Sequence, residues 1–166
     1  MSWTIQPLHA NDLAALGDHL MRLDATDRRY RFGIAMSDRQ LVDFAQRCDP
    51  ERDIFVVLKR GARIGGVCQL SVYRDAALLP VADLGISVDA TSRRSGWATQ
   101  MLRTVLNIAR ERRVTRLVVQ YLRCNLAMAA LVRSLGDVSE ERHGAEVTAS
   151  FALPTANGRT RVGETG

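Results

Sequence analysis

The stretch from Val88 to Thr99, VDATSRRSGWAT, decides which fold this chain can adopt. It joins a strand-like segment to a helical one, and the first N–H groups of a helix have no intrahelical partner and face the positive end of the helix dipole. Gly96 lets a ligand approach the main chain, Ala98 keeps the first turn open, and Arg93 and Arg94 add charged donors. The pattern predicts a pyrophosphate-binding turn, with an ordinary helix cap as an equal alternative.

The segments after this turn alternate between helical and strand patterns. Apolar residues recur every three or four positions from Trp97 to Arg112, which predicts an amphipathic helix. A dense apolar run from Thr115 to Leu122 predicts a buried strand. A short helix is expected over Asn125–Leu135 and a final strand over Ala145–Leu153.

The segments before the turn add two helices and several strands. Helical spacing covers His9–Leu23, and a capping-box pattern starts a second helix at Ser37. The expected strands are residues 1–7, Ile54–Leu58, Arg63–Tyr73 and Leu79–Val88. The order β-α-α-β-β-β-α-β-α-β predicts an α+β, or mixed α/β, sandwich around a central sheet. Neither a dinucleotide-binding GxGxxG turn nor a Walker A loop is present in this sequence.

The length and the distribution of apolar residues predict one domain over residues 1–154. After Pro154 the composition cannot bury apolar surface, so a disordered tail is expected over residues 155–166. No apolar run reaches the length of a membrane span and no secretory signal pattern occurs, so we expect a cytoplasmic protein without a membrane partner. Cys48, Cys68 and Cys124 have no paired spacing, which predicts reduced, buried or half-buried thiols and no metal site.

Positive charge is concentrated around one helix. Seven arginines and a single acid, Glu111, lie between Arg93 and Arg116, in a chain with a formal net charge of +5. Such a cluster suits a phosphate-bearing ligand or a solvated helix face. It also raises the alternative of a small nucleic-acid-binding domain, but aromatic residues make up 5% of the chain and only Trp97 lies within the cluster. A nucleic-acid partner is therefore disfavoured.

Taken together, the motifs resemble those of the GNAT superfamily of N-acetyltransferases. Arg93-x-x-Gly96-x-Ala98 is similar to its Q/R-x-x-G-x-G/A signature, and the segment from Asn125 to Gly136 resembles its following N-x-x-A/M-x-x-L helix. Arg29-Tyr30-Arg31-Phe32 and the strand over 53–58 look like the acetyltransferase domain of bacterial protein-lysine acetyltransferases. The resemblance covers residues 3–153 and implies a mostly antiparallel sheet of about six to seven strands flanked by about four helices.

The resemblance also implies a binding site for acetyl-CoA as co-substrate. The strand end Ile86, Ser87 and Val88 would pair with the pantetheine arm, and the turn would hold the pyrophosphate. Asn125 would contact the cofactor near its reacting end, a role compatible with capping a helix. The residues that the resemblance assigns to cofactor binding are Ile86, Ser87, Val88, Arg93, Arg94, Ser95, Gly96, Trp97, Ala98, Thr99 and Asn125.

Two positions depart from the pattern of the family. Many members carry a tyrosine that protonates the departing thiolate, and Val132 occupies that position here. Where the lysine acetyltransferases have a glutamate as general base, this chain has Asp83, whose apolar neighbours should raise its pKa. A solvent-facing strand aspartate is the alternative for Asp83. His9, His19 and His143 are expected at the surface.

The resemblance implies direct acetyl transfer to a primary amine, either a protein lysine or a small molecule. The acceptor would lie between residues 28–37 and the loop at 73–79. The alternative is a non-catalytic acyl-CoA-binding regulatory module, which the valine and the shortened carboxylate favour. The identity of the amine and the oligomeric state, including a homodimer, stay open.

Overall fold

Seven strands and five α-helices make up residues 1–154, the part of the chain that the computed structural model describes. The strands are β1 (Thr4–Pro7), β2 (Ile54–Arg60), β3 (Arg63–Arg74), β4 (Pro80–Val88), β5 (Arg116–Leu122), β6 (Ser139–His143) and β7 (Glu146–Ala152). The helices are α1 (Leu13–Met21), α2 (Ala25–Phe32), α3 (Asp38–Arg47), α4 (Trp97–Glu111) and α5 (Leu126–Arg133). Short 3₁₀ turns cover Ala10–Asp12 and Ala90–Ser92. The predicted disordered tail at 155–166 lies outside the described residues.

All seven strands form one sheet in the order β1-β2-β3-β4-β5-β7-β6. Every neighbouring pair is antiparallel except β4 and β5, which run parallel. The connection between these two strands contains α4, as a parallel pair requires a long crossover. The α+β prediction is therefore confirmed, with five α-helices where about four were expected.

The pairing of β4 with β5 is short. Only Val81–Asp83 pairs with Arg116–Val118, although β4 continues to Val88 and β5 to Leu122. On its other side β4 stays paired with β3 along its whole length, up to Val88. The two parallel strands therefore separate after Asp83, and one edge of β4 is left without a strand partner within residues 1–154.

Two apolar clusters hold helices on the sheet. The larger packs α4 and α5 against the sheet, with Met101, Val105 and Val132 fully buried. The second packs α1 and α3 through side chains such as Leu16 and Leu41, both without exposed surface. Burying a side chain of this size contributes about 1.5–3 kcal/mol. The sheet is thus covered over both faces, and the separation of β4 from β5 lies within a rigid frame.

Two elements were not predicted, and a third is shorter than predicted. The helix α2 was not predicted because its sequence, ATDRRYRF, has no buried residue and no apolar stripe. It is stabilised locally instead, since the Asp24 carboxylate accepts the N–H of Asp27 and Gly33 ends the helix at φ 79°. The strand β6 was not predicted because all five of its residues are exposed. The first predicted helix is also shorter, a 3₁₀ turn followed by α1.

The cysteine prediction is partly wrong. Cys48 and Cys68 are buried, but Cys124 is exposed. Cys124 lies between the end of β5 and the start of α5, where the chain turns at the surface. Within the described part of the chain, no helix has the length and apolar character needed to cross a membrane.

Candidate active site

A cleft of about 610 Å³ opens where β4 and β5 separate. Its walls come from the end of β4, the loop that follows, the first turn of α4 and one face of α5. Every residue predicted to bind the cofactor lines this cleft except Ser95, which lies in the loop with its hydroxyl directed at the Arg93 carbonyl. The lining residues from the prediction are Ile86, Ser87, Val88, Arg93, Arg94, Gly96, Trp97, Ala98, Thr99 and Asn125.

The loop before α4 has the shape of an anion-binding turn. Gly96 adopts a left-handed conformation at φ 75°, and Arg94 does so at φ 60°, which is uncommon for a residue with a side chain. No side chain caps the N-terminus of α4, whereas Asp24, Ser37 and Asn125 cap α2, α3 and α5. The N–H groups of the first turn of α4 are therefore free to receive a phosphate from the cleft.

Arg93 has structural contacts in addition to its place at the cleft. Its Nε donates to the carbonyl oxygen of Val88 at 3.1 Å, and its guanidinium forms an ion pair with Asp27 of α2. The pair joins the loop over residues 89–96, which we name the phosphate loop after its predicted ligand, to the short helix α2. Arg94, which has no side-chain hydrogen bond to a described residue, is the more available cation for a ligand.

Asn125, at the N-cap of α5, and Val132, within α5, are the next two residues with a predicted role or departure. The Asn125 side chain accepts the N–H of Met128 at 3.1 Å and is almost fully buried at the edge of the cleft. Its capping role is thus observed, and the residue also lines the cleft in which a cofactor contact is predicted. Val132 has no exposed surface and packs in the larger apolar cluster. The position that holds a tyrosine in many family members is therefore part of the core here.

A second pocket of about 310 Å³ lies next to the cleft. It is lined by the end of α2 together with parts of β4, β5 and β7. Asp83 and Leu84 line this pocket, whereas Ile86 lines the cleft, so β4 runs from one to the other. Tyr30 lines both. The pocket includes residues 29–33 of the predicted 28–37 side as one wall, but the loop at 73–79 is not among its lining residues.

Asp83 occupies the last position of β4 that is paired with β5. Its carboxylate accepts a hydrogen bond from the Tyr73 hydroxyl at 3.2 Å. Partial desolvation in the pocket raises the pKa of Asp83, and the Tyr73 hydrogen bond acts in the opposite direction. The shift has the direction expected from its apolar neighbours, although Asp83 is solvent-exposed, as the alternative in the sequence analysis had it.

The Tyr30 hydroxyl lies beside the start of α5. It is 3.5 Å from the carbonyl oxygen of Cys124 and 3.7 Å from the Cys124 sulfur, immediately before Asn125. The contact with Cys124 raises the pKa of Tyr30, so the hydroxyl keeps its proton at neutral pH. The sequence showed no role for Tyr30 because the residues it contacts are more than 90 positions away.

His19 is not at the surface as predicted but has no exposed area. Its Nδ1 donates to Asp89 at 2.8 Å and its Nε2 accepts from the Ser87 hydroxyl at 2.9 Å. Burial lowers the pKa of His19, so the ring is neutral. Asp89 also binds Arg22 and Arg63, and its partners hold its pKa at about 2, although burial alone would raise it.

The hydrogen bonds that join His19, Ser87 and Asp89 hold the end of β4 in place beside the cleft. Ser87 is one of the residues predicted to contact the cofactor, and Asp89 begins the loop toward α4. Because His19 is completely enclosed, we assign it to orienting Ser87 and Asp89. The helical spacing of the first helix does not distinguish a buried histidine from an exposed one, and its partners lie about 70 residues away.

Comparison with known proteins identifies the family. A family profile described as "Acetyltransferase (GNAT) domain" matches residues 3–137. The chain belongs to the GNAT family. It is a GNAT N-acetyltransferase, and enzymes of this family use acetyl-CoA. The predicted family, enzyme class and co-substrate are thereby confirmed. A search of curated proteins finds no match to this sequence.

Solved structures share the fold of this GNAT enzyme at low sequence identity. The GNAT domain of S. lividans PAT superimposes with a TM-score of 0.74 at 19% identity, covering 90% of this chain and 89% of that one. The yncA protein of Salmonella typhimurium, solved with its cofactor acetyl-CoA, gives 0.71 at 13% identity, covering 93% and 95%. The ribosomal-protein-S18-alanine N-acetyltransferase of Escherichia coli gives 0.68 at 20% identity, covering 95% and 98%.

Replacing Gly96 with glutamate should abolish binding of CoA to this GNAT enzyme. The new carboxylate would face the phosphate at the positive end of α4, and φ 75° is strained for any side chain. Calorimetric titration of CoA measures the effect. Gly96→Ala is the matched control, because it introduces the same backbone strain without the charge and should retain more of the affinity. Parental affinity in Gly96→Glu would contradict the phosphate assignment.

Replacing His19 with leucine should weaken the acid sensitivity of folding. The neutral, buried His19 has a lowered pKa, so unfolding below about pH 6.5 takes up a proton and the free energy of unfolding falls as pH falls, by at most about 1.4 kcal/mol per pH unit. His19→Leu should lose this slope and about 1–3 kcal/mol at neutral pH through its missing hydrogen bonds.

Urea denaturation between pH 7.5 and 5 measures the slope. Replacing the exposed His143 with leucine serves as the control and should leave the slope in place. An unchanged slope in His19→Leu would show that His19 is not the group that titrates.

Proposed function

We propose that this enzyme transfers the acetyl group of acetyl-CoA directly to a primary amine held in the smaller pocket. The observation that carries this proposal is the position of Asp83, in that pocket and at the point where β4 separates from β5. Tyr30, which lines both the cleft and the pocket, joins the two binding places. Both substrates can therefore be present together, as direct transfer requires.

The cleft has the features needed to hold acetyl-CoA, which supplies the acetyl group as an activated thioester. The free edge of β4 over 86–88 offers backbone donors and acceptors to an extended polar chain. The uncapped first turn of α4, together with Arg94, offers donors and positive charge to phosphates. Residues of the β4 edge would also polarise a carbonyl oxygen placed against them.

Asp83 would act as the general base. An ammonium group must lose a proton before its nitrogen can attack, and a carboxylate with a raised pKa accepts that proton more readily at neutral pH. The N–C bond then forms while the C–S bond of the thioester breaks, so CoA leaves as a thiolate and the nitrogen releases its second proton to solvent to become an amide. Because aspartate is one methylene shorter than glutamate, a water molecule would relay the proton from the amine to Asp83.

Tyr30 would act as the general acid in place of the missing tyrosine on α5. Its hydroxyl lies beside Cys124 at the mouth of α5, and a tyrosine hydroxyl is protonated at neutral pH, so it has a proton to donate to a thiolate. Val132 has no proton to donate and is buried in the core. The proton would thus come from a side chain on α2. It would reach the thiolate at the end of the cleft beside α5, where the tyrosine of other family members would act.

Replacing Asp83 with asparagine should lower turnover by about 10²–10⁴-fold at neutral pH and leave CoA affinity unchanged. A panel of amines, followed by release of free CoA, first identifies an acceptor. The rate should recover in part at high pH, where more of the amine is already deprotonated. Asp43→Asn, on the exposed side of α3, is the matched control and should keep the parental rate. Normal turnover in Asp83→Asn would place the base elsewhere.

Replacing Tyr30 with phenylalanine should lower kcat by about 10²-fold, the lower end for general acid catalysis, because a thiolate is a modest base. Acetyl-CoA affinity should change little, since the ring remains in place. Tyr121→Phe is the comparison within the same pocket, because the Tyr121 hydroxyl donates to Glu140 and its loss should preserve most of the rate. A parental kcat in Tyr30→Phe would mean that water protonates the thiolate.

A further inference from the structure

Arg31 is an unusual residue within the smaller pocket. Its guanidinium fills the place where a side chain on Gly85 would lie, since a Cβ there would clash with Nη1 of Arg31. Its Nη2 donates to the Gln69 side chain at 2.7 Å. Its Nε is shielded from water and has no hydrogen-bond partner among residues 1–154. A shielded donor on a charged group is costly to leave unsatisfied.

No carboxylate compensates this charge among the described residues. The ionisable groups that act on the Arg31 charge include the thiols of Cys48 and Cys68, whose pKa values burial raises to about 11 and about 12, so they are neutral at neutral pH. The rings of Phe32 and Phe44 lie 4.7 and 5.9 Å from the guanidinium carbon. Aromatic faces attract a cation weakly and do not neutralise it.

The guanidinium nevertheless stays charged. Desolvation lowers the pKa of Arg31 to about 10, which is still well above neutral pH. A desolvated cation without a counter-ion destabilises the free protein, and an anion that enters the pocket and pairs with the guanidinium offsets that cost. Arg31 therefore favours an anionic group at its end of the pocket.

The position of Arg31 relative to Asp83 indicates which kind of molecule would carry the anionic group. Gly85, which the guanidinium covers, lies two residues after Asp83 on β4, so both positions face the same side of the sheet about 6–7 Å apart. Asp83 suits the ammonium end of an acceptor and Arg31 an anionic end. The other charged residues of the pocket are Arg29 and Glu146, so its positive and negative side chains are equal in number and suit an acceptor that carries one ammonium and one singly charged anionic group.

We propose that Arg31 binds a carboxylate of the acceptor, so that the substrate is a small amino acid-like amine. This inference rests on the proposed function, because it assigns the acceptor of the same pocket. A pocket of about 310 Å³ accommodates a molecule of that size. A lysine side chain of a protein, which brings only an amine, would leave the Arg31 charge uncompensated.

The test compares matched amines. Each amino acid of a panel is paired with the amine obtained by removing its carboxylate, such as histidine with histamine, and an end-blocked lysine peptide represents protein acceptors. The best amino acid should have a kcat/KM about 10²-fold or more above that of its decarboxylated partner, because a site built for a charged hydrogen bond rejects an analogue lacking it. The end-blocked peptide should react no better than the decarboxylated amine.

Variants then connect the preference with Arg31. Arg31→Met should abolish the preference for a carboxylate by raising KM for the amino acid, while kinetics with the decarboxylated amine stay close to parental. Arg31→Lys keeps the charge without the planar fork and should retain an intermediate preference. Arg39→Met, at an exposed position of α3, is the matched control and should keep the full preference. Thermal unfolding verifies that each variant is folded.

The outcomes separate the two proposals. If amines are acetylated without preference for a carboxylate, or if Arg31→Met keeps the preference, the assignment of Arg31 is wrong and acetyl transfer stands. If no amine of any kind is acetylated, the proposed function fails and the assignment fails with it.

Discussion

The separation of β4 from β5 after Asp83 is the constraint on which the rest of this structure depends. A parallel pair in a sheet is normally satisfied along its whole length, and unpaired backbone groups inside a protein are costly. Here the frame tolerates the gap because β4 keeps its full pairing with β3 and two apolar clusters hold helices on the sheet. The same gap creates the cleft. An extended ligand that pairs with the free edge of β4 would complete the sheet, so binding and sheet formation use the same backbone groups.

Polar residues keep the open edge in place. The enclosed His19 links Ser87 on the edge to Asp89 at the start of the phosphate loop, and Arg22 and Arg63 hold the Asp89 charge. Such a network fixes the orientation of these side chains, which apolar packing alone does not, because hydrogen bonds depend on angle as well as distance. The cleft therefore has a rigid wall behind it, and the donors of α4 and the edge of β4 are positioned before a ligand arrives.

The sequence predicted what depends on local pattern. The helix expected over Trp97–Arg112 is observed at Trp97–Glu111, and the glycine turn before it was recognised because positive φ and helix dipoles have local signatures. The strand β6 and the helix α2 lack an apolar pattern and were missed. Long-range pairs were also missed: neither the burial of His19 nor the position of Tyr30 beside Cys124 follows from spacing along the chain. Asp83 was found by resemblance, while Arg31 needed the three-dimensional neighbours of Gly85 to stand out.

The short helix α2 has a consequence for how this enzyme can evolve. It carries Asp27, which binds Arg93 in the phosphate loop. Three residues later is Tyr30, which lines both cavities. Arg31 follows in the same turn and places its guanidinium against Gly85 of β4. With no buried residue of its own, α2 depends on the cap at Asp24 and the stop at Gly33. A mutation that loosens either end would disturb the walls of the cleft and of the smaller pocket at once. Selection for a new acceptor would therefore find little freedom in α2, and variation in β5 and β7, on the opposite wall of the pocket, is the less constrained route.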